Sequence, residues 1–163
     1  GNDFLGKVCL QWENAAHQFN DLKIPVTLLR TGIVLSKKGG ALQKMKTPII
    51  SPLGSGKQYL SWIHLDDLCN LYIHAIEQNM TGVFNAVAPN FQTSKSFSKI
   101  LAKSIKRPYL PIAVPQFLLK LVFGELSVIL LEGSRLSTSK LEAINFKFEF
   151  KTLSVAFTNL FQK

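Results

Sequence analysis

The run from Val26 to Leu35 constrains this chain most: it is apolar and rich in β-branched residues, broken only by Arg30-Thr31-Gly32. A strand that is apolar on both faces belongs inside a parallel sheet with helices on both sides. One such strand cannot make a sheet alone, so a βαβ setting with further strands is expected. Before it, Phe4, Leu5, Val8, Trp12, Ala15 and Phe19 recur at three and four residues, predicting a long amphipathic helix that ends by Pro25. The fold class is therefore α/β.

Further elements follow in order. Gly39-Gly40 leads into a short helical segment through Met45, and a loop rich in Pro, Gly and Ser runs from Pro48 to Gly56. A helix from about Leu65 to Glu77 is expected to bury Leu68, Leu71, Tyr72, Ala75 and Ile76. Gly82 precedes a strand over Val83–Val87, and Thr93 or Ser94 can cap a lysine-bearing helix that Arg107-Pro108 stops. Tyr109 to Val114 reads as extended. Pro115 fits a first helical position, where its missing N–H costs nothing, and opens a helix that is apolar nearly all round to about Gly133. A short helix around Lys140 to Ile144 precedes Phe146, Phe148 and Phe150, which alternate with charged residues as a half-buried strand would. Leu153, Ala156, Phe157 and Leu160 mark a last amphipathic helix. The expected division is an α/β part over 1–112 and a small, mainly helical part over 113–163.

Composition narrows the class. At 163 residues, 47% hydrophobic and 18% charged, the chain can bury a sizeable core. The most apolar stretch, Phe117 to Leu131, is shorter than the roughly 20 residues of a membrane span. Lys120 and Glu125 interrupt it, so a buried or interface helix is the better reading and no membrane span is expected. Cys9 and Cys69 lack any paired metal spacing, which points to reduced thiols, no metal site and a cytoplasmic location. The net charge of +9 includes a stripe of Lys95, Lys99, Lys103 and Lys106 opposite Phe97, Leu101 and Ile105. That stripe could meet nucleic acid, acidic lipid or another anionic partner. A solvated helix face is preferred, because no aromatic interleaves with the lysines to stack on bases.

Several motifs stand in a telling order: Leu29-Arg30-Thr31-Gly32-Ile33-Val34-Leu35, Gly39-Gly40-Ala41-Leu42, the block from Gly54 to Asp67, then Asn85-Ala86-Val87-Ala88-Pro89 and Arg107-Pro108. With Phe123-Gly124-Glu125 and the Phe146–Phe150 segment, they resemble the C-terminal portion of atypical extended short-chain dehydrogenase/reductase (SDR) proteins of the "epimerase family". Those proteins carry a small C-terminal domain of unknown function. The resemblance implies the C-terminal part of a Rossmann-type fold with a small helical appendage. It implies NADP(H) for the complete protein, with the glycine fingerprint upstream of Gly1, in the same or another chain. Gly54-Ser55-Gly56 does not replace that fingerprint, lacking the preceding buried strand and the following helix. This fragment alone is therefore not expected to hold the cofactor.

The resemblance also suggests site residues. Thr31, Gly32 and Ile33 would supply backbone contacts to the nicotinamide, although Gly32 could equally relieve a strand bulge. Lys57, Trp62 and His64 are substrate-side candidates. His64 is read as packed beside Trp62 in preference to a proton donor, and Asp66 and Asp67 as serving the helix start in preference to a metal. The position where related epimerases present an arginine to a substrate diphosphate falls on Leu60, and the catalytic tyrosine and lysine positions fall on Leu5 and Cys9. Cys9 is expected to pack on the helix's apolar stripe, and no catalytic residue is assigned. The leading functional expectation is the substrate-side portion of an NAD(P)-binding epimerase- or reductase-like protein acting on a small molecule, inactive as this fragment. The alternative is a non-enzymatic basic module that binds an anionic partner or another protein chain.

Overall fold

A computed structural model describes residues 4–124, 127–131 and 133–162. The apolar run folds as two short strands, β1 (Thr27–Thr31) and β2 (Ile33–Leu35). β1 pairs in parallel with β4 (Gly82–Ala86), placing Leu29 opposite Phe84, and β2 pairs in parallel with β3 (Trp62–His64), placing Val34 opposite Ile63. Gly32 is the handover between the two ladders. Its N–H donates to the Ala86 carbonyl at 3.2 Å, while the Ile33 N–H donates to the Ser61 carbonyl at 2.8 Å. The parallel strands and flanking helices are those of a Rossmann-type α/β fold.

α1 (Phe4–His17) precedes the strands, and α2 (Ala41–Met45), α3 (Leu65–Glu77) and α4 (Ser94–Ser104) follow in chain order. Thr93 caps α4, its hydroxyl oxygen accepting the Ser96 N–H. The helix expected from Pro115 is two: α5 (Gln116–Phe123) and α6 (Ser127–Leu131). Gly124, at φ 58°, follows α5, a left-handed backbone that ends helices because only glycine takes it without strain. Pro115 precedes α5 as its cap and is not its first helical residue. Glu125 of the Phe123-Gly124-Glu125 motif lies outside the described residues. α7 (Ser139–Ala143) and α8 (Leu153–Phe161) complete the chain.

Two apolar cores form, and both draw on the C-terminal residues. One joins Leu35, Trp62, Phe97 and Leu101 to Phe150 and Phe157; the other joins Ile63, Leu71 and Phe84 to Leu141, Phe146 and Phe148. Phe157 meets Phe97 edge-on at 5.4 Å between ring centroids, a favoured aromatic geometry. Phe146, Phe148 and Phe150 are buried in alternation as expected, but their segment is not a ladder strand.

Three burial expectations need correction. Tyr72 and Ile76 of α3 are exposed, on the side of the helix away from the buried Leu71 and Ala75. Cys9 is also exposed. The apolar stripe of α1 buries nothing: Phe4 and Trp12 are more than two-thirds exposed.

Candidate functional site

A cavity of about 600 Å³ opens where β1 ends and β2 begins, floored by Thr31, Gly32, Ile33 and Val34. Gly40, Ala41 and Lys44 wall it from the start of α2, and Tyr59, Leu60 and Ser61 from the segment before β3. Leu130, Gly133, Ser134 and Leu136 close it from the C-terminal part. The end of a parallel strand is where open α/β sheets bind ligands, because the loops leaving it splay apart there.

Hydrogen bonds hold the closing segment in place. The Ser61 hydroxyl donates to the Ser134 carbonyl at 2.8 Å, and the Gln58 amide donates to the carbonyls of Leu130 at 3.0 Å and Leu53 at 2.8 Å. Asn85, on β4, donates to the Ser137 carbonyl at 3.1 Å. The cavity wall is mainly apolar, with Thr31, Ser61 and Ser134 as hydroxyl groups and Lys44 and Tyr59 as ionisable ones. Among the described residues, no carboxylate or imidazole lines it. Such a lining suits a flat or apolar ligand oriented by a few polar contacts.

Gly32 has a reason in the backbone itself. A Cβ there would stand 2.6 Å from the Ser61 carbonyl oxygen and 2.8 Å from a Val87 methyl. Glycine is required for the strand crossing whatever occupies the cavity.

The other candidates sit elsewhere. Trp62 is buried in the core with its indole N–H donating to the Asn90 carbonyl at 3.0 Å. His64 is buried too, stacked on Phe150 with ring centroids 3.8 Å apart. Its Nδ1 accepts the Asp66 N–H at 3.1 Å and so caps α3, a job expected of the acids that follow it. Lys57 is exposed and, like Trp62 and His64, is not among the cavity's lining residues. Asp67 has a different role from a helix-start acid. It is fully buried, and its carboxylate accepts the backbone N–H groups of Glu149 and Phe150.

Lys44, Tyr59, Ser61 and Ser134 reach the cavity without having been singled out in the sequence. Tyr59 and Ser61 carried a signal, since they alternate with the buried Leu60 and Trp62. Beside the cavity floor, Arg30 clamps Glu13 of α1 through two bonds of 2.7 Å. That fork holds the Glu13 carboxyl below its ordinary range and the guanidinium above its own. Among the described residues, no group of three or more His, Cys, Asp or Glu gathers to hold a metal ion.

These features define the C-terminal portion of an SDR-type α/β protein, and comparison with known proteins agrees. Residues 114–160 match a domain of unknown function (DUF1731). An epimerase family protein of Staphylococcus saprophyticus is 39% identical over 97% of this chain. The chain spans only about half of such relatives, 54% in that case. A crystal structure of a human epimerase family protein with NADPH superposes with a TM-score of 0.77 at 30% identity, covering 85% of this chain and 49% of that one. A nucleoside-diphosphate sugar epimerase from Corynebacterium glutamicum gives a TM-score of 0.73 at 29% identity, covering 99% of this chain and 31% of that one. Over almost its whole length the chain is similar to the C-terminal part of epimerase family proteins, which are of the SDR type.

Proposed function

We propose that this chain is the substrate-side portion of an NAD(P)-binding, epimerase- or reductase-like protein acting on a small molecule. The observation that carries the reading is the cavity at the end of β1, bounded by Thr31, Gly32 and Ile33. NADP(H) is the cofactor we assign to the complete protein, supported by the human relative crystallised with NADPH. The nicotinamide would meet the backbone of Thr31–Ile33, and the small-molecule substrate would lie toward Tyr59, Ser61 and Lys44. Lys57, Trp62 and His64 remain our other substrate-side candidates, although they lie outside the cavity lining. The glycine fingerprint belongs to an upstream Rossmann half in the same or another chain.

This portion alone is inactive in our reading, because Leu5 and Cys9 stand where the tyrosine and lysine of active relatives would be. We retain the division into parts over 1–112 and 113–163, the second closing the cavity. The free thiols Cys9 and Cys69 fit a cytoplasmic setting.

The test joins this chain to an upstream Rossmann half and titrates NADPH against thermal unfolding. At about 100 times the dissociation constant, NADPH should stabilise the whole by about 2.7 kcal/mol. Ala41→Trp, which fills the cavity from α2, should abolish that gain while the far-ultraviolet circular dichroism is retained. Full NADPH stabilisation of the Ala41→Trp protein would overturn the placement. A second reading, a basic module that binds an anionic partner, is favoured by the exposed Lys95, Lys99 and Lys103 of α4. Binding that weakens steeply with salt and ignores NADPH would favour it.

A further inference from the structure

Acidic residues are unevenly spread in this chain. None occurs between Asp21 and Asp66 or between Glu77 and Glu125, yet these two stretches carry seven and six of the nineteen Lys and Arg residues. The fold joins them. The Ile50 N–H donates to the Pro108 carbonyl and the Leu110 N–H to the Ile50 carbonyl, both at 2.9 Å. Parallel bridges pair Ile50 with Tyr109 and Leu53 with Val114. Arg107 donates to the carbonyls of Lys46 and Thr47 at 2.5 and 2.6 Å, so cations mark the start of both segments.

Exposed apolar side chains sit on these joined segments. Ile49 and Leu110 are exposed beside the bridged Ile50 and Tyr109, and Ile112 is exposed two residues before the bridged Val114. α5 adds Phe117 at 69% and Leu121 at 83% exposed, while Leu119 is buried on its opposite side. At roughly 100° per residue, Lys120 falls on the same outer side as Phe117 and Leu121. An apolar cavity of about 320 Å³ lined by Ile49, Ile50, Val114 and Leu118 lies between α5 and the bridged segments.

We propose that this face docks peripherally on an anionic lipid bilayer, with Phe117, Leu121 and Ile112 entering the acyl boundary and Lys120 and Arg107 at headgroup level. Apolar side chains with a lysine among them are what an interfacial helix offers, and long basic side chains reach the phosphates from such a position. A second copy is a poor occupant, since apposing two such faces would bring like charges together. Nucleic acid would satisfy the cations but leave the aliphatic side chains without an apolar partner. No helix of the described residues is long and apolar enough to cross a membrane, so the contact is with one leaflet. The proposal names a partner for the basic-module reading and does not depend on the cavity's ligand.

Flotation of the full chain with phosphatidylcholine vesicles, with and without phosphatidylglycerol, tests it. Binding should require phosphatidylglycerol. Phe117→Ser with Leu121→Ser should cut it on the order of tenfold, and Lys120→Glu about fivefold. Both apolar positions are well exposed, so the variants should keep the wild-type circular dichroism; Ile112→Ser is the substitute if the double variant does not. Trp12→Ser, on the apolar stripe of α1, should leave binding unchanged. Equal binding to both vesicle types, loss only with Trp12→Ser, or no vesicle binding would overturn the proposal. Sedimentation showing that Phe117 and Leu121 hold a dimer would also overturn it. Binding to polyglutamate but not to vesicles would overturn the membrane assignment and leave the basic-module reading standing.

Discussion

Asp67, in the first turn of α3, holds Phe150 across 83 residues of sequence, one carboxylate oxygen accepting the Phe150 N–H at 3.0 Å. The other oxygen accepts the Glu149 N–H at 2.8 Å. The same Phe150 ring stacks on His64, which caps α3. One helix start thus fixes the extended segment that carries Phe146, Phe148 and Phe150 into the two cores.

Asp67→Asn should therefore destabilise the chain by about 2 kcal/mol, because an amide nitrogen would face one of two buried N–H donors. Asp67→Ala should cost about 3 kcal/mol. Asp66→Asn, one residue away and largely exposed, should stay within about 0.5 kcal/mol. Urea denaturation of the three variants checks the ranking. Equal effects at positions 66 and 67 would contradict the anchoring role.

Gly32→Ala should destabilise by about 1–3 kcal/mol, since a Cβ 2.6 Å from the Ser61 carbonyl must push two backbone segments apart. The cost should appear without any ligand, and the melting temperature of the chain alone measures it. A neutral substitution would show that the crossing is looser than its hydrogen bonds imply.

The Arg30 fork lowers the Glu13 carboxyl in the folded state, so the sign of its pH dependence is fixed. A depressed carboxyl contributes stability that is present above its unfolded value near 4.5 and is lost as pH falls through the lower folded value. Arg30 is more than half exposed, which limits the contribution to about 0.5 kcal/mol. Glu13→Gln should remove it at neutral pH and leave wild type and variant equally stable in strong acid. Denaturation midpoints at neutral pH and at progressively lower pH give the comparison.

Much of the fold was legible in the sequence where an element carries its own punctuation. Thr93 caps α4, Gly82 opens β4, and the spacing of Leu153, Ala156, Phe157 and Leu160 gives α8. Burial was less legible. Tyr72 and Ile76 are as apolar as Leu71 and Ala75, and residue type does not reveal which neighbour is present. The alternation of Phe146, Phe148 and Phe150 reads as a strand because its burial has period two, yet Asp67 meets the N–H groups of residues 149 and 150. The cavity floor at Thr31–Ile33 was locatable, whereas Ser134 and Leu136 arrive from a hundred residues downstream with no local signal. Trp62 and His64 drew attention through their chemistry, and that chemistry serves the core and a helix cap.

The apolar stripe of α1 and the side chains of Tyr72, Ile73 and Ile76 are exposed. Beside them β1 pairs only with β4 among the described residues. Exposed apolar side chains flanking a strand with one partner suit the pairing of a further strand and its helices. If the upstream half of our proposal adds there, its presence should slow hydrogen exchange of the Thr27–Thr31 amides. Trp12→Ser and Ile76→Ser should each weaken that assembly by about tenfold, the loss of one buried large side chain. Neither should change the stability of the isolated chain by more than about 0.5 kcal/mol. Unaltered exchange in β1 on adding the upstream half would place the missing partner elsewhere.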